Sequence, residues 1–156
     1  MTNLQGPEVL YGQNVFYTSC PKSLEKFLAR IGPINAALLT TIRLFIPGNA
    51  SRPPNKADWL DTVQLIAERA TALKTLTVHW FEYGLSGDVD FVRALGQIRG
   101  LGKIEIGGYY GAKWPRYLEE QLGAKVVELP GNHQIDQDET MDTFREFQER
   151  TRDRNP

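Results

Sequence analysis

The chain has 156 residues and one cysteine, Cys20, so no internal disulfide can form and a reducing compartment is expected. No apolar run approaches the ~20 residues of a membrane-spanning helix. The start, MTNLQGPEVL, lacks the basic segment and apolar stretch of a signal peptide. The expected location is cytoplasmic or nuclear, not secreted. Asn49-Ala50-Ser51, which fits a glycosylation sequon, would then go unread. Charge of one sign is also lacking: 18 basic and 19 acidic side chains leave a net −1. That balance gives no electrostatic case for nucleic acid, which needs a basic face. The two histidines, His79 and His133, stand far apart with no Cys, Asp or Glu at ligand spacing. No metal and no cofactor is expected.

What is present is an ordinary globular composition, 41% hydrophobic and 24% charged. The length suits a single α/β domain over residues 1–151, followed by a frayed tail at 152–156. Two periodicities alternate along it. Short β-branched or aromatic runs occur at Val15–Thr18, Thr41–Ile46, Thr75–Phe81, Lys103–Ile106 and Lys125–Leu129. Helical stripes fill the gaps. Leu24, Phe27, Leu28 and Ile31 form the first, which Gly32 and Pro33 stop. Trp59, Val63, Ile66 and Ala70 form the second. Asp88 caps the third, Val92, Leu95 and Ile98 face inward, and Gly100 and Gly102 end it. Pro115 opens the fourth, Tyr117, Leu118 and Leu122 pack, and Gly123 closes it. A last helix is expected from about Asp138 to Thr151, with Met141, Phe144 and Phe147 apolar.

Strands joined through helices should be parallel, with right-handed crossovers. Two architectures fit. A three-layer α/β sandwich has helices on both faces and strands apolar on both sides. A curved layer has helices on one face and alternating strands. These strands alternate: Ile42, Leu44 and Ile46 oppose Thr41, Arg43 and Phe45, and Ile104 and Ile106 oppose Lys103, Glu105 and Gly107. Burying Arg43, Lys103 or Glu105 unpaired would cost several kcal/mol each, on the order of a buried charge. Strand starts recur every 22 to 34 residues. The expectation is a short, irregular leucine-rich-repeat-like layer of five mainly parallel strands with helices on one face. The sandwich is the alternative.

The stretch EVLYGQNVFYTSCPKSLEKFLARIGPINAALLTTIRL, residues 8–44, resembles a family of uncharacterised proteins from filamentous ascomycete fungi. The matching residues are Leu10, Tyr11, Asn14, Phe16, Ser19, Pro21, Leu24, Phe27, Leu28, Ile31, Gly32 and Asn35. They cover about a quarter of the chain, and the motif is structural. The resemblance implies α/β repeats behind an F-box-like helical segment. The chain starts too late to include that segment, so an adaptor role in ubiquitin ligation is not expected.

Cys20 precedes Pro21 at the junction of a strand and a helix, the layout of a monothiol glutaredoxin-like site. A helix start also lowers a thiol pKa. The rest of that fold and a resolving cysteine are missing, and Pro21 at the first helical position makes Cys20 an N-cap. Lys26, not an arginine, stands six residues on, against a phosphatase loop. GNHQIDQDET, residues 131–140, lacks the spacing of a calcium loop. IGGYYGAKWP, residues 106–115, reads as a glycine-bearing loop between strand and helix. An anionic small molecule could bind there near Gly107, Gly108, Tyr109, Tyr110 and Lys113.

The sequence therefore points to a surface. The open sheet face should present Arg43, Phe45, Thr77, His79, Phe81, Lys103 and Glu105, aromatics beside charges, to a protein partner. Arg43, His79 and Glu105 should share one height if Leu44, Val78 and Ile104 are in register. No catalytic residue is expected. The alternative is a small enzyme with its site at the carboxyl ends of the strands, at Pro47–Asn49, Glu82–Gly84 and Gly107–Tyr110. With an edge strand to cover, a homodimer through the Val15–Thr18 side or the last helix is expected.

Overall fold

The fold follows from six short strands and five helices in a computed structural model, which describes residues 6–46, 56–81, 89–130 and 133–134. In chain order they are α1 (Pro7–Gly12), β1 (Val15–Thr18), α2 (Pro21–Ala36), β2 (Thr41–Ile46), α3 (Lys56–Arg69), β3 (Thr75–Trp80), α4 (Val89–Leu95), β4 (Lys103–Tyr110), α5 (Trp114–Leu122), β5 (Lys125–Glu128) and β6 (His133–Gln134). All strand pairs are parallel, and the spatial order β1-β2-β3-β4-β5 repeats the chain order. A parallel sheet that always steps the same way through right-handed crossovers carries its helices on one side. Accordingly α2 packs beside α3, α3 beside α4 and α4 beside α5. The five-strand parallel α/β layer read from the alternation is the fold.

One sheet face carries the core. Ile42, Leu44, Leu76, Val78, Trp80, Ile104 and Ile106 are buried there against Leu28, Trp59, Val63, Ile66, Val92, Leu95 and Leu118 of the helices. Trp80 meets Phe91 and Tyr110 with ring centroids 6.1 and 6.2 Å away. Burial of this kind stabilises by about 1.5–3 kcal/mol per large apolar side chain.

The punctuation residues act as their chemistry requires. Gly32, at φ 83°, interrupts α2, and Pro33 starts a further helical turn instead of ending the element. The stop expected at Gly32 is a kink, because proline is well suited to a first turn. Gly123 closes α5 in the left-handed region, and its amide donates to the Glu119 carbonyl. Asp88, the sequon, the Pro47–Asn49 and Glu82–Gly84 ends and the Asp138–Thr151 helix lie outside the described residues, as does the 152–156 tail. No described helix is long and apolar enough to cross a membrane.

The sequence reading places a loop at Gly107–Tyr110, but these residues are the second half of β4. The reason is local. Gly108 holds φ 80°, and a Cβ there would meet the Trp80 carbonyl oxygen at 1.9 Å. A Cβ on Gly107 would meet His79 Cδ2 at 2.9 Å. The glycines let β3 and β4 approach closely while the partner of β4 changes from β5, at Lys103–Ile106, to β6, at Tyr109–Tyr110. Tyr110 is buried and its hydroxyl donates to Glu128 Oε1 at 2.5 Å, while Lys113 is an exposed N-cap of α5.

Candidate functional site

The sheet face away from the helices is built from odd-numbered positions of successive strands. Its register sets two rows. The first is Tyr17, Arg43, Thr77, Glu105 and Val127. The second is Phe45, His79 and Gly107, one step nearer the carboxyl ends. Val78 therefore stands level with Ile106, not Ile104, and His79 is not level with Arg43 and Glu105. The Lys74 carbonyl accepts from the amides of Gly102 and Lys103, and this start to the ladder sets Thr75 level with Lys103, so that every β3 residue faces the β4 residue 28 places on.

The rows differ in character. In the first, Arg43 is exposed, but Thr77 is 5% exposed and not a presenting residue. Its hydroxyl donates to Glu105 Oε1 at 2.9 Å, and Lys103 Nζ stands 3.9 Å from the other carboxylate oxygen. Glu105 is thereby held down onto the sheet and only partly exposed. In the second row an aromatic cluster forms. Phe45 stacks on Phe81 at 5.8 Å and meets Tyr17 edge-on at 6.2 Å, and His79 lies 4.7 Å from Phe81 and 6.2 Å from Phe45. Phe81 is anchored because its amide donates to the Ile46 carbonyl, extending the ladder past β3. Tyr17 is 74% exposed and Phe81 51%.

His79 is only partly exposed, not fully as the alternation suggests. Its ring lies over Gly107, where the absent side chain makes room, and Nδ1 is buried without a partner among the described residues. Loss of hydration pushes its pKa below the ordinary histidine value.

Tyr17 is the member of this site that the sequence reading passed over. The signal was available: period two places Val15 and Tyr17 opposite Phe16, and Phe16 packs on Phe27 of α2 at 5.1 Å. The structure also joins two regions that the sequence keeps apart. An open groove of about 460 Å³ at the carboxyl ends of β1 and β2 is lined by Tyr17, Thr18, Ser19, Cys20, Ser23, Phe45 and Phe81. Cys20 is the N-cap of α2 in extended backbone, Pro21 follows at the first turn, and the thiol makes no capping bond. Thr18 ties this corner instead, its hydroxyl donating to the Cys20 carbonyl at 2.8 Å and accepting from the Cys20 amide at 2.9 Å. The Ser23 hydroxyl, then the Ser23 and Lys22 amides, favour the thiolate, so the exposed Cys20 thiol lies below its ordinary pKa. Among the described residues no group of His, Cys, Asp and Glu could hold a metal ion.

No family model, curated protein or solved structure matches the chain.

Proposed function

We propose that this chain is a protein-interaction module that binds a partner through the open sheet face and performs no catalysis. One observation carries the reading. Four rings, Tyr17, Phe45, His79 and Phe81, form a contiguous cluster on a hydrogen-bonded sheet, and two of them are more than half exposed. Aromatic side chains on a rigid base contribute large contact area at low entropic cost, and interfaces are enriched in them. Arg43, Lys103 and Glu105 supply a polar rim. Strands and helices in strict sequential order support a short, irregular leucine-rich-repeat-like layer, in keeping with the resemblance of residues 8–44 to the fungal family. The proposed location is the cytoplasm or nucleus. A second copy is proposed at the β1 edge, where Val15 is 44% exposed beside Tyr17. Sedimentation at high micromolar concentration should give a dimer; a strict 17.7 kDa monomer removes that part. The partner surface is tested by affinity capture with full-length wild type, Phe81→Lys and Arg116→Glu, the last on the exposed flank of α5. A partner held by wild type and Arg116→Glu but lost by Phe81→Lys supports the face; one held equally by all three refutes it.

A second reading has one observation in its favour, the Cys20 thiolate tendency inside the groove. A glutaredoxin-like thiol protein would require Cys20→Ser to abolish function. A partner interaction that survives Cys20→Ser and peroxide treatment excludes it.

A further inference from the structure

The open face sets an unpaired charge beside its rings. Arg43 is exposed, and among the described residues its guanidinium makes no hydrogen bond or ion pair. The register fixes its surroundings. Tyr17 stands level with Arg43 on β1, ~4.8 Å away, and Phe45 follows two residues on along β2, ~6.8 Å away. Tyr17 and Phe45, together with Phe81, are also walls of the open groove of about 460 Å³. A ring-lined slot and a free guanidinium therefore lie one row of the sheet apart. The other cations of the face stand further off. Lys103 and Lys125 are level with each other on β4 and β5, one row nearer the amino ends. Lys125 is exposed and also unpaired among the described residues. From Arg43 to Lys103 is two strands across and one row down, about 12 Å. Among the described residues the rows carry one carboxylate, Glu105, which accepts from Thr77 and stands 3.9 Å from Lys103 Nζ.

We propose that the occupant of this face is an extended acidic segment of a protein partner: a large apolar residue, an acidic residue two places on, and a second acidic residue four places beyond that. In an extended chain, residues two apart lie on one side at ~6.8 Å, the step from Phe45 to Arg43. Four residues span ~13 Å, the step from Arg43 to the lysines. The apolar side chain seats in the groove against Tyr17 and Phe45. The first carboxylate takes Arg43 in a two-point pair, and the second reaches Lys103 and Lys125. This partner chemistry rests on the reading of the open face as a partner surface. Rings and cations also suit a single strand of nucleic acid. Two features favour the peptide. The rings touch one another at 4.7–6.2 Å and frame one slot, not successive stacking platforms. Glu105 shares a row with Arg43, and a peptide can pass it with a neutral residue, whereas a backbone charged at every nucleotide cannot.

The test uses the full chain and short synthetic peptides on a glycine–serine frame, read by titration calorimetry. The reference peptide has tryptophan, glutamate two places on, and glutamate four places beyond. In a second peptide both glutamates are lysines. In a third the first glutamate is moved next to the tryptophan, which turns it to the opposite side of an extended chain. The reference should bind with Kd below ~1 mM, and the other two about tenfold more weakly. Arg43→Gln should cost the reference about tenfold, and Arg43→Glu should reverse the preference toward the lysine peptide. Phe81→Ala should weaken the reference, and Arg116→Glu should leave it unchanged. Arg43 is exposed, so its variants should melt as wild type does. Equal binding of the acidic and lysine peptides, a reference affinity indifferent to Arg43→Gln, or no binding at ~1 mM overturns the proposal. Tighter binding of a short oligothymidylate overturns it as well. The capture experiment separates the two readings. A partner lost by Phe81→Lys but held by Arg43→Gln keeps the partner surface and removes only its acidic chemistry.

Discussion

Replacing Phe81 and Val78 with lysine in turn separates the two faces of the sheet. The residues are three apart, yet they meet opposite environments. Val78 is fully buried on the helix side, between Leu44 and Ile106 in register. An ammonium there has no acid to meet and would cost several kcal/mol, on the order of an unpaired buried charge. Against a total stability of about 5–15 kcal/mol for a domain, that leaves little or no folded protein. Phe81 is 51% exposed, so a lysine head reaches water at once. What is lost is its ring contact with Phe45 at 5.8 Å and with His79 at 4.7 Å. Each such contact is worth about 0.5–1.5 kcal/mol, and partial solvation takes the lower half of that range. A loss of about 1–2 kcal/mol lowers Tm by roughly 2–8 °C for a chain of this size. Circular dichroism melts read both variants. Val78→Lys should show no cooperative transition, and Phe81→Lys a transition shifted by those few degrees. If Phe81→Lys loses its transition too, the face is a second core and the reasoning fails.

Gly108→Ala should destabilise by at least about 2 kcal/mol, since φ 80° and the Trp80 carbonyl both oppose a Cβ; chemical denaturation would show a lower midpoint, and an unchanged midpoint contradicts the close approach of β3 and β4. Cys20→Ser should keep or slightly raise stability, because serine is the better N-cap, and a melt falling by more than a few degrees would contradict this. Burial lowers the His79 pKa, so its contribution is complete above the ordinary value of ~6.5. As pH falls below that value the unfolded chain takes up the proton first, and stability declines until the lowered folded pKa is passed. Wild type should therefore lose stability relative to His79→Gln between pH 7.5 and pH 5; parallel curves would mean that the ring is not desolvated.

The strand cores were legible because their alternation has one buried side, and a one-residue error would put Arg43 inside. The boundaries of β1 and β2 follow from that constraint. Where the constraint lapses, the reading lapses. Gly107 and Gly108 look like turn residues, yet period two continues through Ile104, Ile106, Gly108 and Tyr110, all on the buried side of β4. Helix α1 has only six residues and no full apolar stripe, which leaves Pro7 at its first turn as a weak local sign of it. Thr77 reads as an outward polar residue; its burial depends on Glu105 from the next strand, a contact 28 residues away. Register between strands is likewise non-local, so the alternation alone leaves β4 two residues out of step with β3. The neighbourhood of Cys20 and Phe81, 61 positions apart in sequence, is a consequence of parallel pairing that no motif states.

The most direct test of the partner surface is a titration of the captured partner with full-length wild type, Phe81→Ala and Arg116→Ala by calorimetry. A central aromatic anchor is worth at least about 2 kcal/mol, or roughly 30-fold in Kd. Phe81→Ala should weaken binding by that much while Arg116→Ala leaves it unchanged. Equal affinity for Phe81→Ala and wild type, or a loss confined to Arg116→Ala, would place the interface away from the open sheet face and contradict the account.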